Sequence, residues 1–419
     1  MTSRGSQGRH GHRATTAHVQ AAYPFVAEGG LGGRGVYIGR DAYGGSFCYD
    51  PFELYGRELT SPNLLVAGIV GRAKSSLVKT YLWRQHVFGR RAWVIDVKGE
   101  YRPLAAALGV VPIRLRPGGD VQLNPLTPAS GWDGQLHLLQ SIAAGALGRP
   151  LAPEEIMGLT EALRAACEAH ATLLDEPTLP EVVDILLHRT DVLVPAMVMS
   201  ADVVADTVRQ MAFALNRLVS GDLRGMFDGP TTSGVDFDAP LVVLDLSDVY
   251  DSPALPILMA CGTACLRAMI RDSGAKLIGV VDEAWQVLSM LGVGEWLQAN
   301  MKLSRALGQQ IILVMHRFAD LRAVGAEGSR EVRLAEGLLA ETETKVIYAQ
   351  PPDQLPLTRE LLGLTDTEAE ILPTLRRGEA LWKVGRRSFL VHHRLSSFEQ
   401  ALVNTDARML AGAPENGGA

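Results

Sequence analysis

GIVGRAKSS, Gly68 to Ser76, lies between the apolar run Leu64-Leu65-Val66-Ala67 and the helix-like LVKTYLWRQ (77–85). Against the phosphate-loop pattern GxxxxGK followed by Ser or Thr, it supplies Gly68, Lys74 and Ser75 but holds Ala73 where a second glycine is expected. A strand that ends in such a turn and enters a helix aims backbone N–H groups and the positive helix end at one point, an anion site made of main chain. The spacing places Gly68, Gly71, Arg72, Ala73, Lys74, Ser75 and Ser76 around the phosphates of a nucleotide such as ATP. Lys74 is expected on the β and γ phosphates and the Ser75 hydroxyl on Mg²⁺.

Two further segments have the right order for that chemistry. KLIGVVDEAW (276–285) is a buried-strand pattern ending in Asp282 and Glu283, where a Walker B element places its Mg²⁺-positioning carboxylate beside a residue that polarises the attacking water. AWVIDVKGEY (92–101) is another apolar strand, ending in Asp96, Lys98 and Glu100. All three strands are expected to finish on one edge of a parallel sheet, the edge at which such sheets bind ligands. QQIILVMHRFADL (309–321) reads as one more strand with a polar tip, and His316 there is placed to sense the γ phosphate.

A chain of 419 residues can bury a large core and form two or three lobes. Its hydrophobic content, 47 %, is high, yet no apolar run reaches the 18 or more residues needed to cross a bilayer. ALPILMACGTACLRAMI (254–270) carries Arg267 and reads as a buried helix, with Cys261 and Cys265 as two thiols on one face. The four cysteines form no CxxC pair, and no apolar segment follows the basic N-terminal residues as in a signal peptide, so the expected location is the cytoplasm. A net charge of −6 supplies no bulk basic footprint for nucleic acid. DNA stays open as a partner, because a ring can hold basic residues in its channel while its outside is acidic.

Along the chain, residues 1–20 read as a disordered basic arm and 21–63, rich in glycine and aromatics, as a strand-and-turn segment packed on the core. The first part of the nucleotide core runs over 64–125. Helical periodicity over 126–230 predicts an all-helical insertion that splits this core. The second part, 231–409, holds LVVLDLS (241–247), the Asp282-Glu283 strand and C-terminal strands, and 410–419 reads as a disordered tail.

IDVKGEY (95–101), LNPL (123–126), MFDGPT (226–231), VVDEAW (280–285) and the stretch from GLLAETETKVIYAQ (337–350) to RRGEALWKVGRRSF (376–389) resemble the VirB-type conjugation and type IV secretion ATPases of the HerA/FtsK P-loop superfamily. The resemblance runs from about Gly35 to Met409. It implies an α/β, RecA-like P-loop NTPase core, mostly parallel, with an inserted all-helical subdomain. It also implies self-association into a ring, usually a hexamer, with ATP and Mg²⁺ between subunits. The expected partner is a conjugation or secretion complex at the inner face of the cell membrane.

Carried over by position, Glu283 is the catalytic base, Asp282 the Walker B acid, and Lys74 and Ser75 the phosphate and Mg²⁺ ligands. Glu100 supports the water or metal site, and His316 stands where relatives often carry glutamine. Lys345 stands where they tend to carry an arginine that reaches a neighbouring subunit's γ phosphate. Lysine lacks the planar fork of arginine, and Arg305, Arg317, Arg330 and Arg377 are further candidates for that task. Ala73 puts a Cβ where the loop wraps the phosphates, which costs affinity if the position demands a glycine conformation. Two other functions fit the same residues: a nucleotide-binding assembly protein with little hydrolysis, and a HerA- or FtsK-like DNA translocase.

Overall fold

The computed structural model describes residues 30–127, 131–170, 176–221, 223–252, 274–285, 291–316 and 329–403, and residues 255, 258, 259, 262 and 318 besides. The expected arm 1–20, the tail 410–419, Cys261, Cys265 and Arg317 lie outside the described residues.

The strands, in chain order, are β1 (Val36–Asp41), β2 (Ser46–Tyr49), β3 (Leu64–Ala67), β4 (Arg91–Asp96), β5 (Ile113–Arg114), β6 (Leu241–Asp245), β7 (Leu277–Val281), β8 (Gln309–Met315), β9 (Thr344–Ile347), β10 (Glu379–Val384) and β11 (Arg387–His393). They form one sheet in the order β2-β1-β11-β10-β9-β3-β8-β7-β4-β6-β5. From β9 to β5 every pairing is parallel, and β10, β11, β1 and β2 extend it with antiparallel pairings. Strands of a parallel sheet covered on both faces should be apolar at consecutive positions. Leu64 and Val66 of β3 pack into the core on one face, Leu65 and Ala67 into the core on the other, and Ala92/Val94 and Trp93/Ile95 of β4 divide the same way. The period-2 side-chain alternation thus feeds two cores at once.

Helix α1 (Lys74–His86) follows β3, and α2 (Arg102–Ala107) follows β4. The interval between β5 and β6 holds α3 (Gly131–Leu147), α4 (Pro153–His170), α5 (Leu179–His188), α6 (Thr190–Met197) and α7 (Ala201–Val219). Their apolar stripes, such as Val204, Val208, Met211 and Leu215 of α7, close on one another. Two sequence motifs clip the ends of this helical stretch together. Leu123 N–H donates to Met226 O at 2.8 Å, and Asn124 N–H donates to Thr231 Oγ1 at 2.9 Å, so LNPL and MFDGPT form a seam between helices and sheet. Beyond β7 come α8 (Leu291–Leu307), which packs on α3 and β8, and α9 (Arg330–Ala340). No described helix is long and apolar enough to cross a membrane.

Residues 36–49 are built into the sheet itself: β1 pairs with β11, Gly39 opposite His393. The same C-terminal hairpin braces the phosphate-loop helix, where Thr80 Oγ1 of α1 lies 2.9 Å from the buried His393 Nε2.

Candidate functional site

Parallel register brings the ends of four strands to one edge. Ala67 of β3 is level with Met315 of β8, Leu313 of β8 with Val281 of β7, and Val281 with Ile95 of β4. Gly68, His316, Asp282 and Asp96, each at or one step past its strand's end, therefore share that edge.

The loop between β3 and α1 is held by its neighbours. Gly68 N–H donates to Met315 O at 3.3 Å and Ile69 N–H to Ala349 O at 3.2 Å. Gly68 has φ 155° and a Cβ there would meet Tyr348 Cβ at 2.5 Å, while Gly71 has φ 80°. Among the described residues, the N–H groups of Val70 through Ser76 find no acceptor, and the first turn of α1 closes with Leu77 N–H on Ala73 O. Those of Lys74, Ser75 and Ser76 are orphan donors of a helix N-terminus, groups of the kind that receive an anion. The half-buried Ser75 sits in this turn. Arg72 O accepts from Gly378 N–H at 3.4 Å, which sets the Arg376-Arg377 turn beside the loop.

Ala73 has φ 80° and ψ 24°, the left-handed region. The glycine-type conformation that made this residue the main departure from the loop pattern is thus what the position adopts, at a cost of about 1–2 kcal/mol for a side chain with a Cβ. The strain is built into the loop's own fold, so its first expression is stability. Ala73→Gly is expected to gain ~1 kcal/mol net, after the added freedom of the unfolded chain is subtracted. That amounts to a rise of about 1–3 °C in the thermal midpoint by scanning fluorimetry; a lower midpoint would contradict the assignment.

Lys74 is buried, and its ammonium donates to Gly68 O at 2.5 Å and Ile69 O at 3.0 Å and lies 2.7 Å from His316 Nδ1. Burial brings its pKa down to about 8, against the opposing pull of Asp282 and Glu283. Asp282 is buried too, and burial together with the charges of Glu283, Glu100 and Asp96 pushes its carboxyl up to about 7. Glu283 behaves oppositely. Burial alone would raise it, but the hydrogen bonds it accepts from His316 and Lys98, and the charge of Lys98, bring it down to about 2. It also has a left-handed backbone, φ 51°, so two of the three described non-glycine residues with positive φ are in this site.

The remaining expected residues divide. Glu100 pairs with the buried Lys79 at 3.5 Å and faces the Asp282 side. Asp96 is fully buried and accepts from the N–H groups of Lys98, Glu100 and Tyr101 at 3.2, 3.1 and 2.9 Å, so its carboxylate shapes the KGEY turn. It holds the turn instead of facing the phosphates as a direct ligand. Lys345 lies elsewhere. It is level with Leu65 near the start of β9, and its ammonium donates back to Thr342 O at 2.7 Å. Arg305 lies toward the opposite ends of the strands, where Gly308 N–H donates to its carbonyl. Two contacts were not assigned from sequence: Lys98 and Trp285 both bind the Glu283 carboxylate. A lysine two residues past the end of β4 was the available signal for the first.

These residues fit a nucleotide with Mg²⁺. Unpaired loop N–H groups and a buried ammonium suit phosphate, and the Ser75 hydroxyl and the Asp282 carboxylate are oxygen donors of the kind a hard cation takes. Among the described residues no cluster of three or more His, Cys, Asp or Glu is placed to hold a metal ion.

Sheet order, loop and acid pair define the class: this is a RecA-like P-loop NTPase fold. No family model and no curated protein matches the chain. Among solved structures, VirB4 of Thermoanaerobacter pseudethanolicus is similar with a TM-score of 0.73 and 24% identity, covering 89% of this chain and 100% of that one. The bacterial conjugative coupling protein TrwB, unbound, gives a TM-score of 0.59 at 15% identity over 81% of this chain and 86% of that one. The plasmid coupling protein TrwB in complex with the ATP analogue ADPNP gives 0.58 at 16% over 80% and 86%. The likeness is one of fold.

Proposed function

We propose that this chain is an ATP-hydrolysing ring motor akin to VirB4, driving macromolecular transfer in conjugation or a related type IV secretion apparatus. The observation that supports it most is the convergence of Lys74, Ser75, Asp282, Glu283 and His316 on one sheet edge, in a fold that matches VirB4 along nearly the whole chain. TrwB, of the same fold, has been solved with ADPNP and with ADP and Mg²⁺.

Lys74 and the loop N–H groups hold the β and γ phosphates, and Ser75 and Asp282 are the residues that would hold Mg²⁺, which when bound would offset charge on the phosphate oxygens. Glu283 orients a water for in-line attack and takes its proton, while His316 links that base to Lys74. The transferred cargo is DNA or protein, and the membrane-side complex is the docking partner. A subunit in a ring presents its loop edge to a neighbour, and a basic residue of that neighbour completes the site.

Sedimentation velocity tests the ring. With Mg·ADPNP the chain is expected to shift to a closed oligomer, six copies by analogy, and a monomer at every concentration with nucleotide bound would contradict it.

A further inference from the structure

Glu283 does not present a free carboxylate to the phosphate loop. Its Oε1 takes Lys98 Nζ and, at 2.5 Å, His316 Nε2, and its Oε2 accepts the Trp285 indole N–H at 2.9 Å. A carboxylate oxygen offers two lone-pair directions, so Oε1 is full. Across the imidazole, Nδ1 lies 2.7 Å from Lys74 Nζ. An ammonium has no lone pair, so Nδ1 is the acceptor there and Nε2 carries the ring proton that Glu283 receives. The 3.2 Å approach of Lys98 Nζ to Nε2 then sets two donors side by side, and the carboxylate is what holds Lys98 in place. The outcome is a closed chain of Lys74, His316, Glu283 and Lys98 in which the base has its charge cancelled and its nearer oxygen filled. Glu283 is 2 % exposed, whereas the Lys98 side chain is 32 % exposed, so Lys98 is the member free to swing out.

We propose, resting on the assignment of this edge as an ATP site, that Lys98 is a positioning residue that latches Glu283, and that a γ phosphate opens the latch. The terminal phosphate carries more charge than a carboxylate and would sit at the loop beside Lys74. It draws the Lys74 ammonium off His316 and the Lys98 ammonium off Glu283, leaving Oε1 open to water. A diphosphate lacks that group and leaves the latch closed. The base is then released only when the nucleotide present is one that can be hydrolysed.

Lys98→Met keeps the length of the side chain and removes the charge, and Lys98→Arg keeps the charge. In the wild type each turnover must draw Lys98 off Glu283 after ATP has bound, so the Met variant is expected to raise kcat ~3- to 10-fold, the size of a charge-assisted hydrogen bond discounted for partial exposure, with ADPNP affinity within ~3-fold of wild type. The Arg variant is expected to stay near the wild-type rate, and a fall in kcat in Lys98→Met overturns the latch. Trp285 emission, isolated by subtracting a Trp285→Phe protein, reads the same event without hydrolysis. It should shift in the wild type with Mg·ADPNP but not with Mg·ADP, and be already shifted in Lys98→Met. That pattern with no turnover in either protein supports the latch and sinks the hydrolysis assignment. An emission unchanged by ADPNP that calorimetry shows to be bound overturns the latch and leaves the nucleotide site standing.

Discussion

Glu283→Gln is expected to lower ATP turnover at least ~100-fold while Mg·ADPNP still binds, which is the usual size of losing a general base and about 2.7 kcal/mol of barrier. The amide is isosteric but has one acceptor oxygen where the carboxylate has two, so it keeps either the bond from Trp285 or those from His316 and Lys98, and a thermal midpoint accompanies the rate measurement. The amide cannot take a proton from water, nor balance the charge of Lys98. The split between a lost kcat and a kept affinity separates a base from a merely structural carboxylate. An unchanged rate would remove Glu283 from the chemistry.

Lys74→Met should act on the other quantity. Removing one partner of a desolvated charge pair costs about 2–5 kcal/mol, so ADPNP affinity measured by calorimetry is expected to fall ~100-fold or more. The side chain is buried and its methylenes are replaced by a Met of similar length, so packing is largely kept. The carbonyls of Gly68 and Ile69 lose their donor in this variant, which makes a thermal midpoint the necessary companion measurement. A folded Lys74→Met protein that binds nucleotide as tightly as the wild type would contradict the site.

Both effects trace to features legible in the chain. Continuous apolar runs ending in GIVGRAKSS, DVKGEY and DEAW announce parallel strands whose tips share an edge, because only strands covered on both faces can be apolar at consecutive positions. The positive φ at Ala73 was legible as a condition, since the pattern calls for glycine there, and the structure fixes the condition as met. Lys345 shows what motif position leaves out. A residue's place in a strand says nothing of which end its side chain turns to, and this one turns to Thr342. Pairing of β1 with β11 was beyond the sequence as well, because antiparallel contacts between segments some 350 residues apart leave no local period. Lys98 was visible as a charge at a strand tip, but its bond to Glu283 arises from the order of β7 beside β4, which only the folded sheet supplies.

Steady-state phosphate release by the wild-type chain with Mg·ATP, followed across a protein concentration series with Glu283→Gln as the blank, tests the assignment of this edge as a hydrolytic site shared between subunits. The expected result is a rate above the blank whose value per subunit climbs with concentration. A rate equal to the blank at every concentration would contradict it.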